Sequence, residues 1–415
     1  MISFERFTLT NGLRVLFHHE ASSPMAVVNL LYDVGARDED PDQTGFAHLF
    51  EHLMFGGSVN IADFDAPLQH AGGESNAFTS NDITNYYDVL PAHNLETALW
   101  LESDRMLSLA FTDKSLGVQR QVVIEEFKQR YLNQPYGDVW LQLRPLAYKK
   151  HPYRWATIGK KISHIEEAKM DDVRAFFKKN YHPSNAILCI VGNFSLDYIT
   201  EKVTHYFGNI PAQPKHERQL PKEPKQRQFR EKTLVRKVPA DAFYYAFPMS
   251  ARIDSHYYIA DLLSDQLGNE KTSKLYIELK KKKKLVSEIT AFITGAHDEG
   301  LFIISGKLNP GVQFEDLDAA LWPLLTTVGQ KAMNKAELAE LKLKLQTAKA
   351  FQDQGILNRA MNLCFFELMG DADGINQENE KYAQINTEDM RLYAQNLLRK
   401  EQCSLLKIKQ KAHVK

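Results

Sequence analysis

A short pattern occurs twice in this chain, 217 residues apart, and constrains the fold more than any other feature. Asp172-Val-Arg-Ala-Phe176 precedes the strand-like run Ala186-Ile-Leu-Cys-Ile-Val191. Asp389-Met-Arg-Leu-Tyr393 precedes Cys403-Ser-Leu-Leu-Lys-Ile408. A helix followed by an apolar strand, repeated at one spacing, predicts a duplicated unit. Between the copies, residues 211–232 hold Pro211, Pro214, Pro221 and Pro224 among Lys, Glu and Gln, with little to bury. That is the composition of an extended, solvated linker. The expected division is 1–212, a linker at 213–232, and 233–415, each half of ordinary domain size.

Within the first half, Phe7 to Phe17 reads as a hairpin turning at Asn11-Gly12, a dipeptide that accepts the positive φ a tight turn needs. Residues 26–32 read as an apolar strand and 44–55 as a helix stopped by Gly56-Gly57. Strands are expected at 76–80 and 84–90, then long helices at 92–109 and 113–132. In the second half, strands at 243–247, 288–292 and 301–305 alternate with helices near 254–267, 271–284, 334–352 and 387–399. Alternating strands and helices point to layered α/β or α+β sandwiches.

Composition narrows the function. Among 415 residues, 51 Lys+Arg against 52 Asp+Glu leave a net charge of −1, which argues against a coat for nucleic acid or anionic membrane. Three cysteines, none in a CxxC pair, supply neither a disulfide framework nor a thiolate zinc cluster. The first residues carry no basic start or apolar core of a signal peptide. No apolar run approaches the ~20 residues of a membrane helix. The expectation is a cytoplasmic protein without a membrane span. Lys280 to Lys284 ends a predicted amphipathic helix, where lysines complement the dipole, so it reads as a solvated helix end.

The chemistry concentrates in His48-Leu-Phe-Glu-His52. At about 100° per residue, His48 and His52 lie about 40° apart and one turn along the axis, with Glu51 about 60° to the other side of His48. Two imidazoles so spaced can grip one ion. Zinc held this way needs a third protein ligand and an open position for water, and a nearby carboxylate that is not a ligand can carry the proton. Glu51 is placed for that work. Among the other histidines, His70, His93, His151 and His297 have no partner at ligand spacing.

HxxEH is the inverted zincin signature, and its surroundings resemble the pitrilysin/insulinase family of zinc metallopeptidases. The resemblance rests on four ordered blocks: Gly45 to Phe55, Gly72 to Ser80, Thr84-Asn-Tyr-Tyr87, and Arg120-Gln-Val-Val-Ile-Glu-Glu126. It implies an α+β fold of two homologous α/β sandwich domains, each a mixed, mostly antiparallel sheet with helices on one face. It also implies a zinc endopeptidase that cleaves unfolded peptides in a chamber, with one zinc per chain held by His48, His52 and a glutamate. Glu126, 74 residues after His52, matches the family's third ligand. Glu125 is the rival, about 100° round the same helix, so one of the two can face the metal. The family also implies that Asn76, Ala77, Phe78 and Thr79 form an edge strand to which substrate adds by main-chain pairing. Members often carry an acid at the place of Gln119, behind the site; here the side chain is neutral. His151-Pro-Tyr-Arg-Trp155 matches another recurrent segment.

The resemblance weakens in the second half. Thr272 to Leu279 resembles the family's Ser-Arg-Leu-Tyr block, but the Arg and Tyr that hold the substrate carbonyl are replaced by Lys283 and Ser287. Lysine loses the planar fork and serine the reach. Arg252 and Tyr276 do not fit that motif. Intact HxxEH with a missing Arg/Tyr pair implies a partner: a heterodimer with a homologous subunit supplying the pair, or else a homodimer. The competing expectation is a weakly active or inactive peptide-binding subunit of a peptidase complex.

Overall fold

The computed structural model describes residues 1–215 and 217–411. It contains two mixed sheets. The first holds β1 (Glu5–Thr8), β2 (Arg14–His19), β3 (Met25–Tyr32), β4 (Glu74–Thr79), β5 (Thr84–Pro91) and β6 (Ala186–Gly192), in the order β1-β2-β6-β3-β5-β4. The second holds β7 (Arg230–Arg236), β8 (Ala242–Pro248), β9 (Val286–Ile293), β10 (Leu301–Leu308) and β11 (Ser404–Gln410), in the order β7-β11-β8-β10-β9.

Apart from β1, the two orders are the same. β2 runs parallel to β6 as β7 does to β11, and every other neighbouring pair is antiparallel. The repeated Asp-x-Arg-x-aromatic pattern lies on equivalent helices, Met170–Asn180 and Thr387–Leu397, each leading into an interior strand at the equivalent place in its sheet, β6 or β11. The hairpin β1–β2 turns where Asn11-Gly12 predicts, with Gly12 at φ +89° and Thr8 opposite Arg14.

The compact units do not follow a single cut. The first comprises Met1–Phe127, Trp155–Leu220 and Lys349–Gln377; the second comprises Lys128–Arg154, Pro221–Ala348 and Glu378–Lys415. In the first unit, helix Ile356–Leu368 lays Ala360, Leu363 and Cys364 on one face of the sheet, against Leu16, Val27, Leu31, Ile187, Cys189 and Val191. The alternate residues Val15, Val28, Leu30, Leu188 and Ile190 are buried too, as the period of two in a strand covered on both sides requires. In the second unit, helix Val139–Ala147 covers Ala242, Ala246, Ile303, Leu406 and Ile408. Phe243, Tyr245 and Phe247 face the opposite core with helices His256–Gly268, Phe314–Gln330 and Thr387–Leu397. Each expected sandwich is thus completed on its second face by a helix from the other half of the sequence.

The 213–232 segment is more tethered than a solvated linker. Arg218 pairs with Asp33 and Asp38 in the first unit. In the second, Glu223 accepts from the amides of Lys149, Lys150 and His151. Gln226 is buried and donates to the Cys403 carbonyl. Residues 230–232 already belong to β7. Charged and polar side chains that look solvated in sequence here find specific partners. No helix is long and apolar enough to cross a membrane, among the described residues.

Candidate metal centre

Helix Phe46–Leu53 carries HxxEH. Phe46, Ala47, Leu49, Phe50 and Leu53 are buried, and Phe50 packs among Phe111, Phe176, Phe177 and Tyr181. This aromatic cluster fixes the apolar face and turns His48, Glu51 and His52 the other way. Helix Asp113–Phe127 packs against it and buries Leu116, Val123, Ile124 and Phe127. Glu126 thereby meets the two histidines, while Glu125 is exposed.

The Glu126 Oε2 atom lies 3.6 Å from His48 Nε2 and 3.4 Å from His52 Nε2. One ligand atom from each of the three lies within 4.8 Å of the others. Tetrahedral coordination at ~2.0–2.1 Å sets ligand atoms about 3.3–3.4 Å apart, so the spacing fits a single zinc ion. Two imidazole nitrogens and one carboxylate oxygen are the donor set of catalytic zinc sites that keep one position open. All three side chains remain partly accessible, at 12, 24 and 17%, as solvent entry requires.

Glu51 stands beside this triad. Burial raises its carboxyl above the ordinary range, while the Thr79 hydroxyl, donating to Oε2 at 2.6 Å, and the neighbouring His52 pull it down. Thr79 ends β4, the last strand of the first sheet, hydrogen-bonded to β5 on one side. Side chains alternate along β4: Asn76 and Phe78 are exposed, Ala77 and Thr79 half-buried. Phe78 therefore lies on the outer face of the strand. Gln119 is half-buried two turns before Glu126.

In the second unit, the Ser287 hydroxyl turns back to the Lys307 carbonyl, and Lys283 closes the helical segment Tyr276–Lys282. Arg252 is paired with Glu378 and stacked on Tyr257, with its guanidinium carbon 4.2 Å from the ring centroid. His151 is buried, 3.4 Å from Asp298, so the His151 to Tyr153 part of its segment serves packing of the second unit.

One residue at the site escaped the sequence reading. Buried Glu39 accepts from Gly45 N and Ala47 N, both at 2.9 Å, and from Trp155 Nε1 at 3.1 Å. Within Arg37-Asp-Glu-Asp40 nothing marks it off from a surface acid. The one available signal is Gly45, a glycine at the head of a helix, which has no side chain to cap it.

Comparison with known proteins identifies the family. The family profile described as Insulinase (Peptidase family M16) matches residues 14–159, and the one described as Peptidase M16 inactive domain matches residues 168–345. A zinc protease PqqE of Helicobacter pylori is 30% identical over 393 residues, 93% of this chain and 88% of that protein. This chain belongs to peptidase family M16. A probable mitochondrial-processing peptidase subunit beta of Schizosaccharomyces pombe is 28% identical over 209 residues, half of this chain and 45% of that one. Among solved structures, a Helicobacter pylori protease superimposes with a TM-score of 0.92 at 28% identity, covering 99% of this M16 chain and all of its own. The pitrilysin/insulinase resemblance and the paired α+β fold therefore hold.

Proposed function

We propose that this M16 protein is a zinc endopeptidase acting on unfolded peptides, with His48, His52 and Glu126 as metal ligands and Glu51 as the catalytic acid/base. The convergence of three ligand atoms beside a second, hydrogen-bonded carboxylate carries the reading. Zinc held there would supply Lewis-acid polarisation of a peptide carbonyl and acidify a water ligand. Glu51, whose carboxyl is raised by burial, takes up the proton and returns it to the leaving amine. Thr79 keeps the Glu51 carboxylate in one orientation. Residues Asn76 to Thr79 align an extended peptide by main-chain hydrogen bonds, which make little demand on sequence.

A homologous partner supplying the Arg/Tyr pair completes the proposal. The relative named as a subunit supports it, as do Lys283 and Ser287, which offer neither a guanidinium nor a phenol. Those substitutions, with Gln119, also favour the second reading, a peptide-binding subunit of low activity. Glu51→Gln separates the two. Under the main reading the wild-type chain, alone or with its partner, cleaves a quenched peptide, and the variant retains zinc but not turnover. Hydrolysis unchanged in the variant would refute the assignment, and zinc-loaded wild type inactive with every M16 partner favours the second reading.

A further inference from the structure

The HxxEH helix is two turns long, too short to persist on propensity alone. Its N-cap, Gly45, is at φ +92°. A Cβ there would lie 2.8 Å from the Ile158 carbonyl oxygen, so glycine is required and the usual side-chain cap is lost. Glu39 takes its place from six residues upstream. One oxygen receives Ala47 N, the other receives Gly45 N and the Trp155 indole. His48 follows directly on Ala47, in the same first turn.

Trp155 opens the segment by which the chain returns to the first unit. It also donates to the Ala36 carbonyl at 2.8 Å. Farther along, Lys160 N donates to Thr44 Oγ1 at 2.8 Å. Gly159, at φ +99°, leaves no room for a Cβ beside the Thr44 carbonyl. The 155–160 strap thus crosses the head of the HxxEH helix and is tied to it through a buried carboxylate.

We propose that Glu39 and Trp155 are positioning residues for the metal: they hold the first helical turn so that His48 reaches the ion together with His52 and Glu126. The inference rests on the reading of that triad as a zinc site. Fraying of the first turn would withdraw His48 and spare the other two ligands. Partners behind a metal ligand typically contribute about 10–100-fold in affinity, and that is the loss expected for Glu39→Gln, whose amide N–H₂ would face an N–H donor. Trp155→Phe, which removes one of three donors, should lose affinity toward the lower end.

The test is zinc competition against a chromophoric chelator on the full chain, run above the pH of about 8 to which burial lifts the Glu39 carboxyl. Leu363→Ala, which destabilises the first unit away from the site, is the control. Weaker zinc binding in Glu39→Gln and Trp155→Phe, with Leu363→Ala at wild-type affinity, supports the proposal. Should Glu39→Gln fail to fold, Trp155→Phe decides. Wild-type affinity in the folded strap variants overturns the proposal while leaving the zinc reading intact. Equal weakening by Leu363→Ala overturns it as well, by showing that global stability sets affinity. Absence of zinc binding by the wild type overturns both.

Discussion

Glu126→Gln keeps the shape of the proposed third ligand and removes its charge, so it isolates what the carboxylate does. Its Oε2 sits 3.4–3.6 Å from both imidazole nitrogens, close to a tetrahedral edge, so no rearrangement is needed for it to bind the ion. Structural sites with four protein ligands hold zinc with about 10–16 kcal/mol, or about 2.5–4 kcal/mol per ligand. At about 1.4 kcal/mol per factor of ten, the variant should bind zinc on the order of 10²–10³-fold more weakly. Glu125→Gln, altering an exposed neighbour on the same helix, should leave affinity unchanged. Chelator competition with metal-free protein measures both. Equal losses in the two variants, or a larger loss at Glu125, would refute the ligand assignment and the spacing argument behind it.

Thr79→Val removes the hydroxyl that donates to Glu51. Hydrogen bonds to charged groups contribute about 1.5–3 kcal/mol, so kcat should fall about 10–100-fold with zinc content unchanged and Thr79→Ser near wild type. A rise in KM with kcat intact would show that Thr79 serves peptide binding instead. A pH effect is expected at Arg359, on the helix covering the first sheet. Its Nη1 lies 2.7 Å from His18 Nε2 and 2.6 Å from Glu20 Oε2. Arginine only donates, so His18 accepts through Nε2 and donates from Nδ1 to the Ser3 carbonyl, which requires the neutral ring. Burial, helped by Arg359, lowers the His18 pKa below 6.5. The Ser22 hydroxyl, then Arg359, lower that of Glu20 from 4.5 to about 2. Both groups bind protons more readily when unfolded, so stability is full above about pH 6.5 and declines as the pH falls, first through His18 and then between 4.5 and about 2 through Glu20. Tm measured against pH should show this decline, flattened in Arg359→Met; an identical profile in the variant would contradict it.

Much of this was legible because the relevant signals are local. Asn11-Gly12 specifies its turn, and the spacing of His48, Glu51 and His52 places them on one helical face. The 217-residue repeat anticipated two sheets of one topology. The exchange of helices was not legible, since the apolar stripe of Ile356–Leu368 says that a face will be buried but not against which sheet. Helix Val139–Ala147 is hidden for the same reason, with Pro145 inside it as a further disguise. Glu39 was missed because its burial is a tertiary fact: two nearby amides and an indole N–H from 116 residues away make an ordinary acid into a cap. Glu126 could be preferred over Glu125 by resemblance, but only the packing of Val123, Ile124 and Phe127 turns one acid inward and the other out.

The helix that seals the first sheet also dictates an order of events during synthesis. Strands β1 to β6 have all left the ribosome well before residues 356–368 exist. Leu16, Val27, Leu31, Ile187 and Val191 must therefore wait, uncovered, for a segment made near the end of translation. Such a nascent intermediate exposes an oily surface and is the state a holding chaperone would recognise. For the same reason, a fragment ending in the 213–232 segment is a poor candidate for independent expression, however cleanly the prolines there punctuate the sequence.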